Sequence, residues 1–208
     1  MIFLIILHLS TPALIARTID AIALRDSTSA VEPLLIPYRN EILRAAARYH
    51  LQPALIAAVI QEESRFEQWA TRHEPRYATS RRVHHAAISW VRTHRVGPNS
   101  ATEFADRSRS YGLMQVMGET AREQGFDAPY LAELYLPANA IEHGARLLAH
   151  LLGRYPRDTL AAISAYNQGS ARRAREGPRR GAFLNARYVY RVCLAWQAYT
   201  KSFAEETP

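Results

Sequence analysis

Glu62 and Glu63 stand side by side near the end of an apolar stretch, Ala57-Ala58-Val59-Ile60-Gln61-Glu62-Glu63-Ser64-Arg65-Phe66. Pro53 suits the first helical position, because its missing N–H costs nothing there. At about 100° per residue, with Val59 at zero, Leu55, Ile56, Val59, Ile60 and Phe66 fall in an arc from roughly −40° to +100°. Glu63 falls near +40°, inside that arc, Glu62 near −60°, at its edge, and Gln61 points away. One carboxyl is therefore aimed at the apolar side, close to the helix end. Burial disfavours the charged form and raises a carboxyl pKa, which lets the group donate a proton near neutral pH. A buried or salt-bridged structural glutamate fits the same pattern, so this segment alone leaves both readings open.

Other groups that could do chemistry are sparse. Tyr111-Gly112-Leu113-Met114-Gln115-Val116-Met117-Gly118 carries Met114 and Met117 at i, i+3, which taken alone read as core packing. Ala165-Tyr166-Asn167-Gln168-Gly169 ends a helix, and Tyr188-Val189 opens another. His73, His84, His85 and His94 lie in one region, yet no HExxH or Cys/His spacing accompanies them, so no metal site is expected. Cys193 is the single cysteine; it excludes an intramolecular disulfide and sits on an apolar helical face as packing.

The elements that must position these groups are helical. Asn40 to His50 reads as a helix with Ile42, Leu43, Ala46 and Tyr49 on one face. Glu67 to Ser110 is Arg- and His-rich and irregular, with one helix expected over Ala86 to Arg95. Glu119 to Gln124 reads as a helix closed by Gly125. Pro137 starts a helix with Ile141, Gly144, Ala145, Leu148, Leu151 and Leu152 in one stripe. Asp158 caps the next helix, over Thr159 to Asn167. Arg172, Arg173, Arg175, Arg179 and Arg180 then mark a basic loop. Val189, Val192, Cys193, Trp196, Tyr199 and Phe203 define a last long helix. The fold class is all-α, with at most a small hairpin in the Glu67–Ser110 region.

The chain has 208 residues, enough for one domain with a sizeable core. Its formal net charge is +7, which suits an anionic partner such as a cell-wall polymer or anionic lipid. The arginines between Arg172 and Arg191 lack interleaved aromatic readers, so nucleic acid is not expected. Ile2 to Leu7 with Ala16 reads as a secretory leader, with an uncleaved N-terminal anchor as the alternative. Arg25 to Pro33 reads as a linker. The expected division is a leader or anchor plus linker over 1–36 and a folded domain over 37–208. The expected place is the periplasm or cell envelope, with peripheral or N-terminal membrane association open.

Taken in order, Glu63-Ser64-Arg65-Phe66, Gly112-Leu113-Met114-Gln115, Ala165-Tyr166-Asn167-Gln168-Gly169 and Tyr188-Val189 with Val192 resemble the soluble lytic transglycosylase family. These are lysozyme-like enzymes that cut peptidoglycan glycan strands. Asn139-Ala140-Ile141 and Gly144 also look like the family helix before Ala-Tyr-Asn. The resemblance covers roughly 37–200 and implies a lysozyme-like α-helical domain without cofactor. It implies that Glu63 is the single catalytic acid/base. Ser64 and Phe66 would support its helix end, Met114 and Gln115 line the sugar groove, Tyr166 and Asn167 face the cleavage site, and Tyr188 close over the carboxyl. Two departures stand out. The segment from Ser64 to Gly112 is long, implying an extra lobe. Leu184-Asn185-Ala186 replaces the acidic and Thr residues that often precede the last tyrosine, which leaves Tyr190 as a substitute for Tyr188.

The implied chemistry needs only one carboxylate, as in substrate-assisted glycosidases. Protonated Glu63 donates to the oxygen joining N-acetylmuramic acid to N-acetylglucosamine, while the muramyl N-acetyl group stabilises the sugar cation. Ionised Glu63 then takes the proton of the muramyl C6 hydroxyl, which closes on C1 to give a 1,6-anhydro end. Proton transfer of this kind is worth about 10²–10⁴-fold. The alternatives are a hydrolytic muramidase, which needs a second carboxylate drawn from Glu74, Glu103 or Asp106, and an inactive peptidoglycan-binding module.

Overall fold

The computed structural model describes residues 35–205. The leader, any anchor and most of the linker lie outside the described residues. Within them, no helix is long and apolar enough to cross a membrane.

The structure is mostly helical, as expected. Helix α1 spans Arg39–Tyr49 and α2 spans Pro53–Glu63, with Pro53 in its first turn. Every residue of α2 from Ala54 to Ile60 is buried. A helix apolar on all sides belongs at the centre of a fold, and α2 is that element here. It packs along the last helix, α9, Ala186–Glu205. Polar ties fix the pair: Trp196 Nε1 donates to Gln52 Oε1 at 3.0 Å, Tyr199 Oη donates to Gln61 Oε1 at 3.1 Å, and Arg191 pairs with Glu62. Gln61, expected to point away, instead meets α9, because α2 has no solvent side over most of its length.

Between α2 and the later helices lies a small antiparallel sheet, where the sequence showed only the prospect of a hairpin. Its strands are β1 (Thr71–His73), β2 (Arg109–Tyr111) and β3 (Val116–Met117), in the order β1-β2-β3, with Arg72 opposite Ser110 and Tyr111 opposite Val116. Two or three residues are too short to display alternation.

The region after β1 carries α3 (Pro75–Ala78), α4 (Arg81–Thr93) and α5 (Ser100–Arg107). Helix α4 begins five residues before the expected Ala86, because the Ser80 hydroxyl accepts from the Val83 amide at 3.4 Å. Helix α5 was not expected at all. Asn99 caps it, accepting from the Thr102 amide at 2.9 Å, but its buried face is Glu103 and Arg107 rather than an apolar stripe.

Those charges belong to one buried network with α6 (Gly118–Glu123). Arg107 bonds Glu103 and Glu119 at 2.8 Å each, and Arg122 Nε bonds Glu103 at 2.9 Å. Arg122 also donates to the carbonyls of Phe126 and Ala128 at 2.7 Å and lies 3.8 Å from the Trp90 ring centre. Two buried guanidiniums thus face two buried carboxylates, and the exposed Arg82 reaches Glu119 from outside at 3.2 Å. Past a 3₁₀ turn at Leu131–Tyr135, α7 (Pro137–Arg154) and α8 (Thr159–Gln168) complete the domain. Asp158 caps α8, accepting from the Ala161 amide at 2.8 Å.

Removing one member of a buried, balanced network strands an unpaired charge, a loss of about 3–5 kcal/mol. Glu103→Gln is therefore expected to lower unfolding stability by about 3 kcal/mol, measured in urea, whereas Glu41→Gln on exposed α1 should change it by under about 0.5 kcal/mol.

Candidate functional site

Glu63 is the last residue of α2, where a helix buried on all sides reaches a cleft of about 600 Å³. The chain must turn sharply just beyond it. Arg65 and Phe66 both adopt left-handed backbone, at φ 54° and 64°. Such conformations cost of order 1–3 kcal/mol each in non-glycine residues and need outside support. Ser64 supplies part of it: its hydroxyl donates to the Leu113 carbonyl at 2.8 Å and to Ile60 at 3.3 Å. Phe66 packs edge-on against Tyr199 of α9, with ring centres 6.0 Å apart.

Ser64 thereby ties the end of α2 to the loop Gly112–Gln115. Gly112 has φ +64°, and a Cβ there would stand 2.6 Å from the Leu134 carbonyl oxygen. Met114 is fully buried, and Gly144 of α7 lets it in: a Cβ on Gly144 would lie 2.4 Å from Met114 Sδ. The Met114 side chain thus packs under the loop instead of lining an open groove, a correction to the role expected of it. Its backbone does serve the site, because Tyr166 Oη donates to the Met114 carbonyl at 2.9 Å. Gln115 lines the cleft, but its amide is engaged inward. Nε2 donates to Ala70 and Gly112 carbonyls at 2.9 Å each, and Oε1 accepts from Ser110 at 2.7 Å.

Tyr166 and Asn167, at the end of α8, line the cleft together with Glu63. Asn167 Oδ1 accepts from Asn185 Nδ2 at 3.1 Å, and Asn185 is bonded in turn to Ser164, Oγ to Oδ1 at 2.7 Å. Asn185 was not among the expected site residues. It stands just ahead of α9, where an asparagine reads as a helix start, but a cross-link to α8 has no local signature.

Tyr188 comes down from α9 onto the carboxyl: its hydroxyl donates to Glu63 Oε1 at 2.7 Å, and the residue is only 7% exposed. Tyr190, the alternative, packs against the core instead. Burial pushes the Glu63 carboxyl up from an ordinary 4.5 to about 7. The Tyr188 hydrogen bond and the Arg72 charge pull against burial by favouring the ionised form, and neighbouring Glu62 adds a small upward push. At neutral pH the acid and carboxylate forms are then similarly populated, as a group that gives and retrieves a proton requires.

The candidate second carboxylates are placed differently. Glu103 is consumed by the buried network. Asp106 is half-buried, its carbonyl accepting from Tyr111 at 3.1 Å. Glu74 does line the cleft, but Arg72 Nε holds it at 2.6 Å. Glu123, also on the cleft, pairs with Arg82.

Comparison with known proteins gives the family of the chain. The chain is 26% identical over 167 residues to the membrane-bound lytic murein transglycosylase C proteins of Actinobacillus pleuropneumoniae serotype 5b (strain L20) and serotype 3 (strain JL03). The alignment covers 74% of this chain and 36% of each relative, so the chain spans about a third of the length of the curated relatives it matches. The Transglycosylase SLT domain family matches residues 40–189, from α1 through Tyr188 in the first turn of α9. With that match over most of its length, the chain belongs to the transglycosylase SLT domain family.

Proposed function

We propose that this chain is a peptidoglycan lytic transglycosylase that cuts between N-acetylmuramic acid and N-acetylglucosamine and leaves a 1,6-anhydromuramyl end. The observation that carries this is one desolvated carboxyl, Glu63, bonded by a single phenol at the floor of a cleft, while the other cleft carboxylates are held by arginines. A hydrolytic muramidase needs a second free carboxylate to activate water, and Glu74 could serve only by giving up Arg72. The retained acid also argues against an inactive binding module. The relatives' names place their work on murein at a membrane, which supports a cell-envelope site of action for this chain, with 37–208 as its catalytic domain.

In this mechanism Glu63 first donates its proton to the leaving glycosidic oxygen. The carboxylate that results keeps the Tyr188 hydrogen bond, which strengthens as charge develops. It then removes the C6 hydroxyl proton as that oxygen closes on C1, so the carboxyl is regenerated without water. Asn167, fixed by Asn185, offers an amide to the N-acetyl group that assists at C1.

Glu63→Gln keeps the side-chain shape and can still accept from Tyr188, but cannot shuttle a proton. Cleavage of purified sacculi should fall by at least about 10²-fold, and wild-type products should be lighter by one water than those of a hydrolase, by mass spectrometry. Retained cleavage would overturn the assignment of Glu63, and hydrated ends alone would overturn the transglycosylase reading.

The pH dependence has a definite sign. Activity that needs protonated Glu63 should decline as pH rises through about 7. Tyr188→Phe removes a bond that favours ionisation, so this limb of the kcat/KM profile should move to higher pH while kcat falls. Stability follows the same proton. Because the folded pKa is raised, ionisation opposes folding, and the penalty grows between pH 4.5 and about 7. Glu63→Gln should therefore stabilise the fold at pH 8 by up to about 3 kcal/mol and leave it unchanged at pH 4.

A further inference from the structure

Helix α7 presents two stripes. One, with Ile141, Ala145 and Leu148, enters the core. The other, Arg146, His150 and Arg154, follows at four-residue spacing along the cleft that holds Glu63. Four residues advance a helix by slightly more than one turn, so these side chains share one face and span about 12 Å along its axis. All three are exposed. Neither Arg146 nor Arg154 makes an ion pair among the described residues; Arg154 lies over the Tyr155 ring, 5.7 Å from its centre. Arg76, from α3 of the inserted segment, lines the same cleft and is likewise without an ion-pair partner among the described residues.

The acidic residues of the cleft do not neutralise this row. Glu74 is held by Arg72 and Glu123 by Arg82. Unpaired arginines in a concave site next to the reacting carboxyl create a local positive field. In stem-bearing peptidoglycan the muramyl lactyl carboxyls are tied up as amides, so the glycan backbone itself has almost no charge for that field to act on. The charge of peptidoglycan lies in carboxylates of the peptide stems carried by the muramyl residues, and guanidinium forks suit carboxylates.

We infer that the Arg146–His150–Arg154 face of α7, with Arg76, is a binding site for stem-peptide carboxylates and makes this chain select stem-bearing over naked glycan. The inference rests on the proposed function for its substrate, but binding tests it separately from cleavage. Phosphate of a wall-linked polymer is the other anion that such a row could hold.

The test measures co-sedimentation of the full chain at low salt with bead-coupled sacculi, whose strands stay on the bead once their cross-links are lost, in three preparations: intact, stripped of stems by an amidase with the lactyl carboxyls this frees capped as methylamides, and freed of phosphodiester-linked polymers by hydrofluoric acid. Retention should fall on amidase treatment and survive hydrofluoric acid. The double variant Arg146→Gln/Arg154→Gln should bind intact sacculi about tenfold more weakly, with an unchanged unfolding midpoint, while Arg146→Lys/Arg154→Lys should keep most of the binding. Wherever cleavage is measured, the ratio of kcat/KM on stem-bearing to stripped glycan should fall by a similar factor in the Gln variant. Equal retention on intact and stripped sacculi, loss only after hydrofluoric acid, or a Gln variant that binds like wild type would overturn the site. Stem-dependent binding through these arginines without any glycan cleavage would instead sustain the site and refute the proposed enzyme activity.

Discussion

A carboxyl largely withdrawn from water, at the end of a helix buried from Ala54 to Ile60, is the constraint around which this molecule is arranged. Desolvating Glu63 costs free energy, and only tight packing of α2 holds the group where it is. The helix is clasped by α9 along its length, and α9 also brings Tyr188 to the carboxyl. One interface therefore both buries the acid and provides its one side-chain hydrogen-bond donor among the described residues. Those influences oppose each other, and their balance leaves the group near neutrality. An acid with more donors would stay ionised, and one with none would stay protonated.

The loop Gly112–Gln115 is the second support. Its positive backbone angles at Gly112 and Gln115, the Ser64 bond to Leu113 and the Met114–Gly144 contact lock it to α2 and α7. Most side chains of that loop face inward, so its contribution is rigidity rather than direct contact. Tyr166 then docks on its backbone and sets the end of α8 beside Glu63. Helix α5 attaches to the same frame through Glu103, Arg107, Glu119 and Arg122, and α4 joins it through Arg82 on Glu119 and Trp90 under Arg122. A buried ionic joint is more directional than an apolar one, so it fixes the orientation of these helices as well as their contact.

Much of this was legible in the sequence where local chemistry dictates local structure. Pro53, Asp158 and Pro137 mark helix starts that the structure places where expected. The helical arc pointed to Glu63 rather than Glu62, although for an incomplete reason. Helix α2 is buried all round from Ala54 to Ile60, and in its last turn Glu62 is set apart chiefly by its pairing with Arg191, 129 residues away. What escaped was non-local or of the wrong polarity. Helix α5 hid because its buried face is charged, the three strands because they are too short, and Asn185 because its partners come from another helix. Met114 was misplaced because a motif indicates that a residue matters without saying whether its side chain or its carbonyl faces the site.

The state of the Glu63 carboxyl is the point on which this account stands, and it can be observed without any substrate. Carbon-13 labelling of glutamate side chains, with Glu63→Gln used to assign the resonance, gives the ionisation of that carboxyl directly by NMR across pH 3 to 9. The account predicts a midpoint near 7. A midpoint at the ordinary glutamate value of about 4.3 would show that the carboxyl is solvated in the folded chain, and the assignment of Glu63 as the proton donor would fail.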